Sequence, residues 1–355
     1  MSDDVYFLLR GRLHSMPGGY PEAHDGLEIR LLKKLYTPEE AGIFLNLKME
    51  PEDVSVIAAR CGMDESCLAA KLEDMAVRGL AFRVRAGGKA DGSKLYQAFQ
   101  FFWGIADCQV NRVDRELADL LLEYFPYLGT TGLALETKQV RVLPVERSIK
   151  SQAAVETYNR LRDMVGEDEL IAVAPCMCRQ MAGVRGKECG HPHETCLSFG
   201  MHAQYFLDNG AARRISREEL LSLLDDAEQW GLVINTSNSR DLSVICLCCR
   251  CCCAMLNNLK LLPECGMAVN SWYRSAIDRD ACTACGLCLE RCPVDAIRED
   301  GDTMEALPER CIGCGLCASA CPADAVSMIE KPGAKPPLDD IPSLMKQVAK
   351  ERGLI

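Results

Sequence analysis

Apolar residues return every three to four positions through Gly26–Tyr36 and Pro38–Leu47, and this periodicity predicts two helices. Thr37 stands as an N-cap before Pro38 at the first helical position. Residues 1–20, which end in Met16-Pro17-Gly18-Gly19-Tyr20 with Pro21 behind, read as an arm. Pro51–Arg60, a Cys61-Gly62-Met63 turn and an amphipathic run from Asp64 to Arg78 follow, with Asp64 as cap and Gly79 as stop. Alternation of apolar and polar residues then takes over in Leu80–Arg85 and in Lys94–Phe99, on either side of a loop holding Gly87, Gly88 and Gly92. Downstream, Asp114–Tyr124 reads as a helix, Lys138–Val145 as a strand and Gln152–Val165 as a helix. Glu169–Ala174 reads as a buried strand running straight into Pro175-Cys176. Ser216–Trp230 has the pattern of a helix opened by a Ser216/Glu219 capping box and closed by Gly231. Leu242–Ile245 reads as a strand and Ala254–Leu261 as a helix. After Glu330 a Pro-rich stretch (Pro332, Pro336, Pro337) leads to a short helix near Ile341–Arg352, suited to clasping a neighbouring subunit or to fraying as a terminus.

The mixture of helical and strand periods points to an α+β chain. Its 355 residues suit two or three domains, and a hydrophobic content of 48% supplies their cores. No apolar run nears the ~20 residues needed to span a bilayer. Met1-Ser2-Asp3-Asp4 also lacks the basic start of a secretory leader. These features predict a soluble protein of a reducing cytoplasm. The net charge of −11 argues against a nucleic-acid partner, because phosphate rewards clustered Lys and Arg.

Cysteine is the outlier, with 22 residues, and in a chain of this length such density indicates metal rather than disulfides. Twice the sequence spells Cys-x2-Cys-x2-Cys-x3-Cys-Pro: Cys282, Cys285, Cys288 and Cys292 before Pro293, then Cys311, Cys314, Cys317 and Cys321 before Pro322. This is the bacterial spacing for two iron–sulfur cubanes, in which the fourth cysteine of each run serves the other cluster. One cluster is thus expected on Cys282, Cys285, Cys288 and Cys321, and the other on Cys311, Cys314, Cys317 and Cys292. Gly286, Gly313 and Gly315 permit the tight curvature. Zinc knuckles use paired C-x2-C with wider gaps.

Eleven more cysteines lie between 176 and 265. Cys176, Cys178, Cys189 and Cys196, near His191, His193 and His202, offer four thiolates for one 4Fe–4S cluster, with zinc as the alternative. Cys246, Cys248, Cys249, Cys251, Cys252 and Cys253 crowd into eight positions, and Cys265 follows twelve residues on. Thiols this dense are a redox liability unless occupied. At helical spacing Cys249 and Cys253 share one face, and Cys248, Cys251 and Cys252 another, which suggests two destinations. That leaves open whether some complete the cluster begun at Cys176 while others hold a fourth with Cys265, or whether one larger cluster takes them all. Cys61, Cys67 and Cys108 read as small buried apolar residues.

From about Asp278 to Glu330 the chain resembles two-cluster bacterial-type ferredoxins, including Val294-Asp295-Ala296-Ile297 and Ala323-Asp324-Ala325-Val326 after each Cys-Pro. The resemblance implies a hairpin and two small helices around two 4Fe–4S clusters, and one-electron transfer. This segment is acidic, with eleven carboxylates against four arginines, as suits docking to a basic redox partner. Helix, turn, helix, strand, loop, strand over residues 25–100 resembles the winged-helix family. Its second helix carries Asp64, Glu65, Glu73 and Asp74 against Lys71 and Arg78, however, and has little to offer base edges. Arg83, Arg85, Lys89 and Lys94 lie on the wing. A scaffold or protein-docking use is therefore expected, and no nucleic acid. Pro175–Asn270 is similar to an uncharacterised family of anaerobe proteins, on Pro175-Cys176-Met177-Cys178-Arg179, Glu194-Thr195-Cys196-Leu197 and Ile245–Cys253. Arg250 and Ala254 depart from the small residues expected there, and Arg250 suits shielding a cluster.

The expected division is an arm (1–24), a winged-helix-like domain (25–110), a cysteine-rich α/β iron–sulfur module (111–270), a ferredoxin-like domain (278–330) and a Pro-rich linker with a docking helix (331–355). Gly18-Gly19 and Gly87-Gly88 lack the context of a nucleotide loop. No catalytic constellation stands out. The expected function is that of an iron–sulfur electron-transfer protein, a subunit or partner of an anaerobic oxidoreductase complex. It would carry two 4Fe–4S clusters and one or two further clusters. The alternatives are a reductase centred on the middle cluster and a redox-sensing winged-helix regulator.

Overall fold

The structure, a computed structural model, describes residues 4–88, 92–133, 135–149 and 160–355. The N-terminal residues are not an arm. Tyr6, Leu9, Leu13 and Met16 recur at intervals of three and four, and the helix Asp4–His14 buries the first three against helices Leu27–Leu35 and Pro38–Leu45. Thr37 caps the latter in a full capping box: its hydroxyl accepts from the Glu40 N–H, and the Glu40 carboxylate accepts from the Thr37 N–H. Helices Val54–Cys61 and Glu65–Val77 follow, the second capped by Asp64. Strands β1 (Phe82–Arg85) and β2 (Lys94–Gln97) then form an antiparallel hairpin. Lys89 lies outside the described residues. Cys67 is exposed on its helix rather than buried. The helix expected to end at Tyr124 runs on as Arg115–Leu133, with Pro126 inside it.

Six further strands form one antiparallel sheet: β3 (Val140–Leu143), β4 (Ile171–Pro175), β5 (Glu194–Phe199), β6 (Arg213–Ile215), β7 (Val233–Ser237) and β8 (Val244–Cys248), in the spatial order β3-β7-β8-β5-β4-β6. Most of the helix expected at Gln152–Val165 lies outside the described residues, which hold its last turn, Leu161–Met164. One face of the sheet packs Val173, Leu197, Ile245 and Leu247 into a core shared with Leu220, Leu224 and Ala227 of helix Arg217–Trp230. Ser216 caps that helix through the Glu219 N–H, but the Glu219 carboxylate turns to Arg213 instead of completing the box.

In the C-terminal part β9 (Tyr273–Ile277) pairs with β12 (Val326–Glu330), and β10 (Ile297–Asp300) forms a hairpin with β11 (Thr303–Ala306). Helices Leu287–Arg291 and Leu316–Ser319 each begin after a glycine in the left-handed region. The architecture is α+β. The last helix, Ile341–Glu351, clasps its own chain: Leu344 and Val348 are buried, Glu351 accepts from Thr137, and Arg352 donates to the carbonyl of His14 at 2.9 Å. Among the described residues no helix is long and apolar enough to cross a membrane.

Candidate metal centres

The two Cys-x2-Cys-x2-Cys-x3-Cys runs curl because four residues in them take positive φ: Ala284 and Gly286 in the first, Gly313 and Gly315 in the second. Each curl wraps a cavity. One, of about 320 Å³, is lined by Cys282, Cys285, Cys288 and Cys321, with Ile277, Met304 and Val326 behind them. The other, of about 310 Å³, is lined by Cys292, Cys311, Cys314 and Cys317. Backbone N–H groups point at the sulfurs: Ser275 donates to Cys311 Sγ at 3.3 Å and Ala296 to Cys292 Sγ at 3.1 Å. The Thr303 hydroxyl, with the N–H groups of Ala284 and Met304, holds the Cys282 thiol below its ordinary range. Burial pushes Cys317 up to about 12, the behaviour of a thiol with no cation to balance it. Four convergent thiols, apolar walls and N–H donors aimed at sulfur suit a 4Fe–4S cluster in each cradle, which would supply one-electron redox chemistry.

The middle cysteines sort by strand register. Within β8, Cys246 and Cys248 alternate with buried Ile245 and Leu247, so both thiols leave on the face opposite the apolar core. Across the sheet Cys246 pairs with Cys196 of β5 on one side and with Asn235 of β7 on the other. Cys176 and Cys178 open helix Met177–Val184, and Cys253 caps helix Ala254–Lys260. These elements bring the sulfurs into a chain of neighbours, Cys196, Cys246, Cys248, Cys253, Cys178 and Cys176. All six, together with Cys249, line one cavity, whose wall also includes Phe102, Trp103 and Phe125. Asp107 Oδ2 and both polar side-chain atoms of Asn235 are buried in its wall without a hydrogen-bond partner. Burial raises the Asp107 carboxyl to about 6 against the pull of the Trp103 and Gly104 N–H groups. Trp103 itself sits at a φ of 56°, a strained conformation for its bulk.

Cys189 does not join Cys176, Cys178 and Cys196, the four expected to share a cluster. It meets Cys249, Cys251 and Cys252, which occupy the turn after β8. The faces read at helical spacing do not apply, because the run is a strand followed by a turn and becomes helical only from Ala254. No histidine enters this group. His202 stacks near Phe82 at 5.2 Å, with burial lowering it to about 4, and the His193 carbonyl accepts from the Cys176 N–H. Cys265 is remote from both groups, its thiol donating to the Arg310 carbonyl at 3.1 Å. Arg250 reaches to the Glu290 carbonyl at 2.6 Å and to Asp295, on either side of Cys292. Asp107, Trp103 and Asn235 escaped the sequence reading; Asn235 stands at the head of the polar run Asn235-Thr236-Ser237-Asn238, which gave no sign of its place in the cavity.

The C-terminal part is held against this module. Arg310 donates to the carbonyls of Lys260, Leu262, Pro263, Val294 and Asp295, and the Val145 N–H donates to Cys314 O at 3.0 Å. Cys249, Cys252 and Cys253 share one apolar core with Cys288 and Cys292.

No curated protein matches the chain. Residues 275–328 match the family model of the 4Fe-4S dicluster domain, which with the cysteine-rich module supports an iron–sulfur electron-transfer role.

Proposed function

We propose that the protein is a multi-cluster iron–sulfur electron carrier, a subunit or partner of an oxidoreductase complex, with clusters in the two cradles and a further iron–sulfur centre on Cys176, Cys178, Cys196, Cys246, Cys248 and Cys253 in the large cavity. The observation that carries this reading is the continuous packing from Cys249, Cys252 and Cys253 to Cys288 and Cys292, which sets the cavity and the cradles in one body. In the cradles Cys282, Cys285, Cys288 and Cys321 would hold one cluster, and Cys311, Cys314, Cys317 and Cys292 the other. The acidic C-terminal segment suits docking to a basic partner.

The winged-helix-like order of residues 25–110 serves as a scaffold in this reading. Its basic hairpin is already engaged: Arg83, 2% exposed, bonds Glu73 and Asn209, Arg85 pairs with Asp208, and Lys94 with Glu73. Side chains committed in this way offer little to phosphate.

A reductase reading is favoured by one observation. The wall of the large cavity carries Asp107 Oδ2 and both polar side-chain atoms of Asn235 without hydrogen-bond partners. Such a site offers polar groups to a small substrate beside a cluster. Iron and sulfide counts with EPR on stepwise anaerobic reduction test both readings. A content well above about eight irons, with a third signal, supports the carrier. A third signal that changes when a small ligand is added supports the reductase. Two ordinary cubane signals with about eight irons would sink both extra-centre readings.

A further inference from the structure

Cys189, Cys249, Cys251 and Cys252 meet in a way that the other cysteines do not. Their four Sγ atoms all lie within 4.8 Å of one another, and Cys251 and Cys252 stand 3.7 Å apart. Four thiolates around one tetrahedral ion, with metal–sulfur bonds of ~2.3 Å, are separated by about 3.8 Å, the edge of that tetrahedron. Around a cubane each thiolate binds a different iron, so the sulfurs are held apart by a cube edge and by the outward reach of two metal–sulfur bonds.

The chain carries its own standard for this difference. Among the described residues no other three His, Cys, Asp or Glu side chains bring ligand atoms so close. The cysteines of the two cradles, in the segment that matches the dicluster domain, do not, and neither do Cys176, Cys178, Cys196, Cys246, Cys248 and Cys253 in the wall of the large cavity.

Arg179 adds a separate observation. Its guanidinium is buried, the residue being 2% exposed, and its hydrogen bonds go to the neutral Thr195 hydroxyl and, at 3.2 Å, to the Leu247 carbonyl. The groups near enough to act on its charge are the thiols of Cys176, Cys249 and Cys189. A buried cation needs an anion, and four thiolates around a divalent ion carry a net charge of about −2.

We infer that Cys189, Cys249, Cys251 and Cys252 bind a single tetrahedral metal ion, zinc or iron, separate from any cluster in the cradles or the large cavity. The ion ties the loop after helix Met177–Val184 to the turn after β8. That turn is flanked by Cys248 and Cys253, and its Cys249 also lines the large cavity, so the ion fixes thiols of the cavity from its rim.

The test uses the full chain purified anaerobically with its metals in place. Zinc and iron are counted per chain, and X-ray absorption at the metal edge reads the ligands. About one zinc with four sulfur neighbours at ~2.3 Å supports the inference. The paired substitution C251S/C252S should release that zinc and leave the iron content and the cubane EPR signals in place. Loss of about one iron with a high-spin ferric signal supports the same site with iron as occupant. Loss of about four irons together with a cubane signal would overturn it, as would a wild-type protein without a four-sulfur mononuclear ion. The iron left in the variant reports on the electron-transfer reading separately, so either idea can fail alone.

Discussion

Asn235 lies directly opposite Cys246 in the β7–β8 pair, 1% exposed, with neither its amide nitrogen nor its amide oxygen hydrogen-bonded. Both residues line the large cavity. Donors aimed at cluster sulfur raise a reduction potential. Asn235→Leu should therefore move the middle signal to more negative potential in an EPR-monitored titration and leave the cradle signals where they are. An unmoved middle signal would mean that the amide serves something other than a cluster.

Two glycines of the same motif should respond differently to alanine. At Gly286, φ is +79° but a Cβ meets nothing within 4 Å. G286A should cost about 1–2 kcal/mol of backbone strain and keep both cradle signals. At Gly313, φ is +72° and a Cβ would lie 1.9 Å from Ser271 Oγ and 2.2 Å from the Tyr273 carbonyl. G313A should abolish the cluster signal of the cradle formed by Cys292, Cys311, Cys314 and Cys317. Denaturation and EPR on the two variants distinguish these outcomes.

Arg310 fastens the C-terminal part to Lys260, Leu262 and Pro263 through their carbonyls. Arg310→Met keeps the aliphatic stem and removes the donors. A loss of about 3 kcal/mol is expected, in line with charge-assisted hydrogen bonds left unmade. Hydrogen exchange should quicken first around residues 260–266; exchange that stays slow there would show that packing alone holds the seam.

Acid should loosen the N-terminal hairpin. Burial would raise the Glu73 carboxyl, but hydrogen bonds from Lys94 and Tyr96 and the charge and hydrogen bond of Arg83 bring it from 4.5 down to about 2. A carboxylate depressed in the folded state contributes stability at and above its ordinary value and loses it as the pH falls from there through about 2. Glu73→Gln should cost about 2 kcal/mol at neutral pH and flatten the acid limb of the unfolding curve. Equal acid sensitivity in both proteins would exclude Glu73 as its source.

The C-terminal curl was legible because its cysteines are local: spacing of two and three residues nearly dictates where four thiols converge. The partition of the middle cysteines was not. Cys189 meets Cys249 and Cys196 meets Cys246 through strand pairing across more than forty residues, and no local period encodes which strand lies next to which. The alternation in Val244-Ile245-Cys246-Leu247-Cys248 was nonetheless present in the sequence, masked by the density of cysteine after it. The first helix was hidden similarly. Tyr6, Leu9, Leu13 and Met16 keep helical spacing, but the Pro-Gly-Gly turn behind them drew the reading toward an arm.

The alternation in β8 decides more than packing. A slip of one residue against β5 and β7 would turn Cys246 and Cys248 into the apolar layer and thrust Ile245 and Leu247 into the cavity. If the proposed middle centre forms on these thiols, mispaired strands and a missing set of ligands are the same event. Any inspection that retains only metal-loaded chains would also, with no further device, discard the misfolded ones.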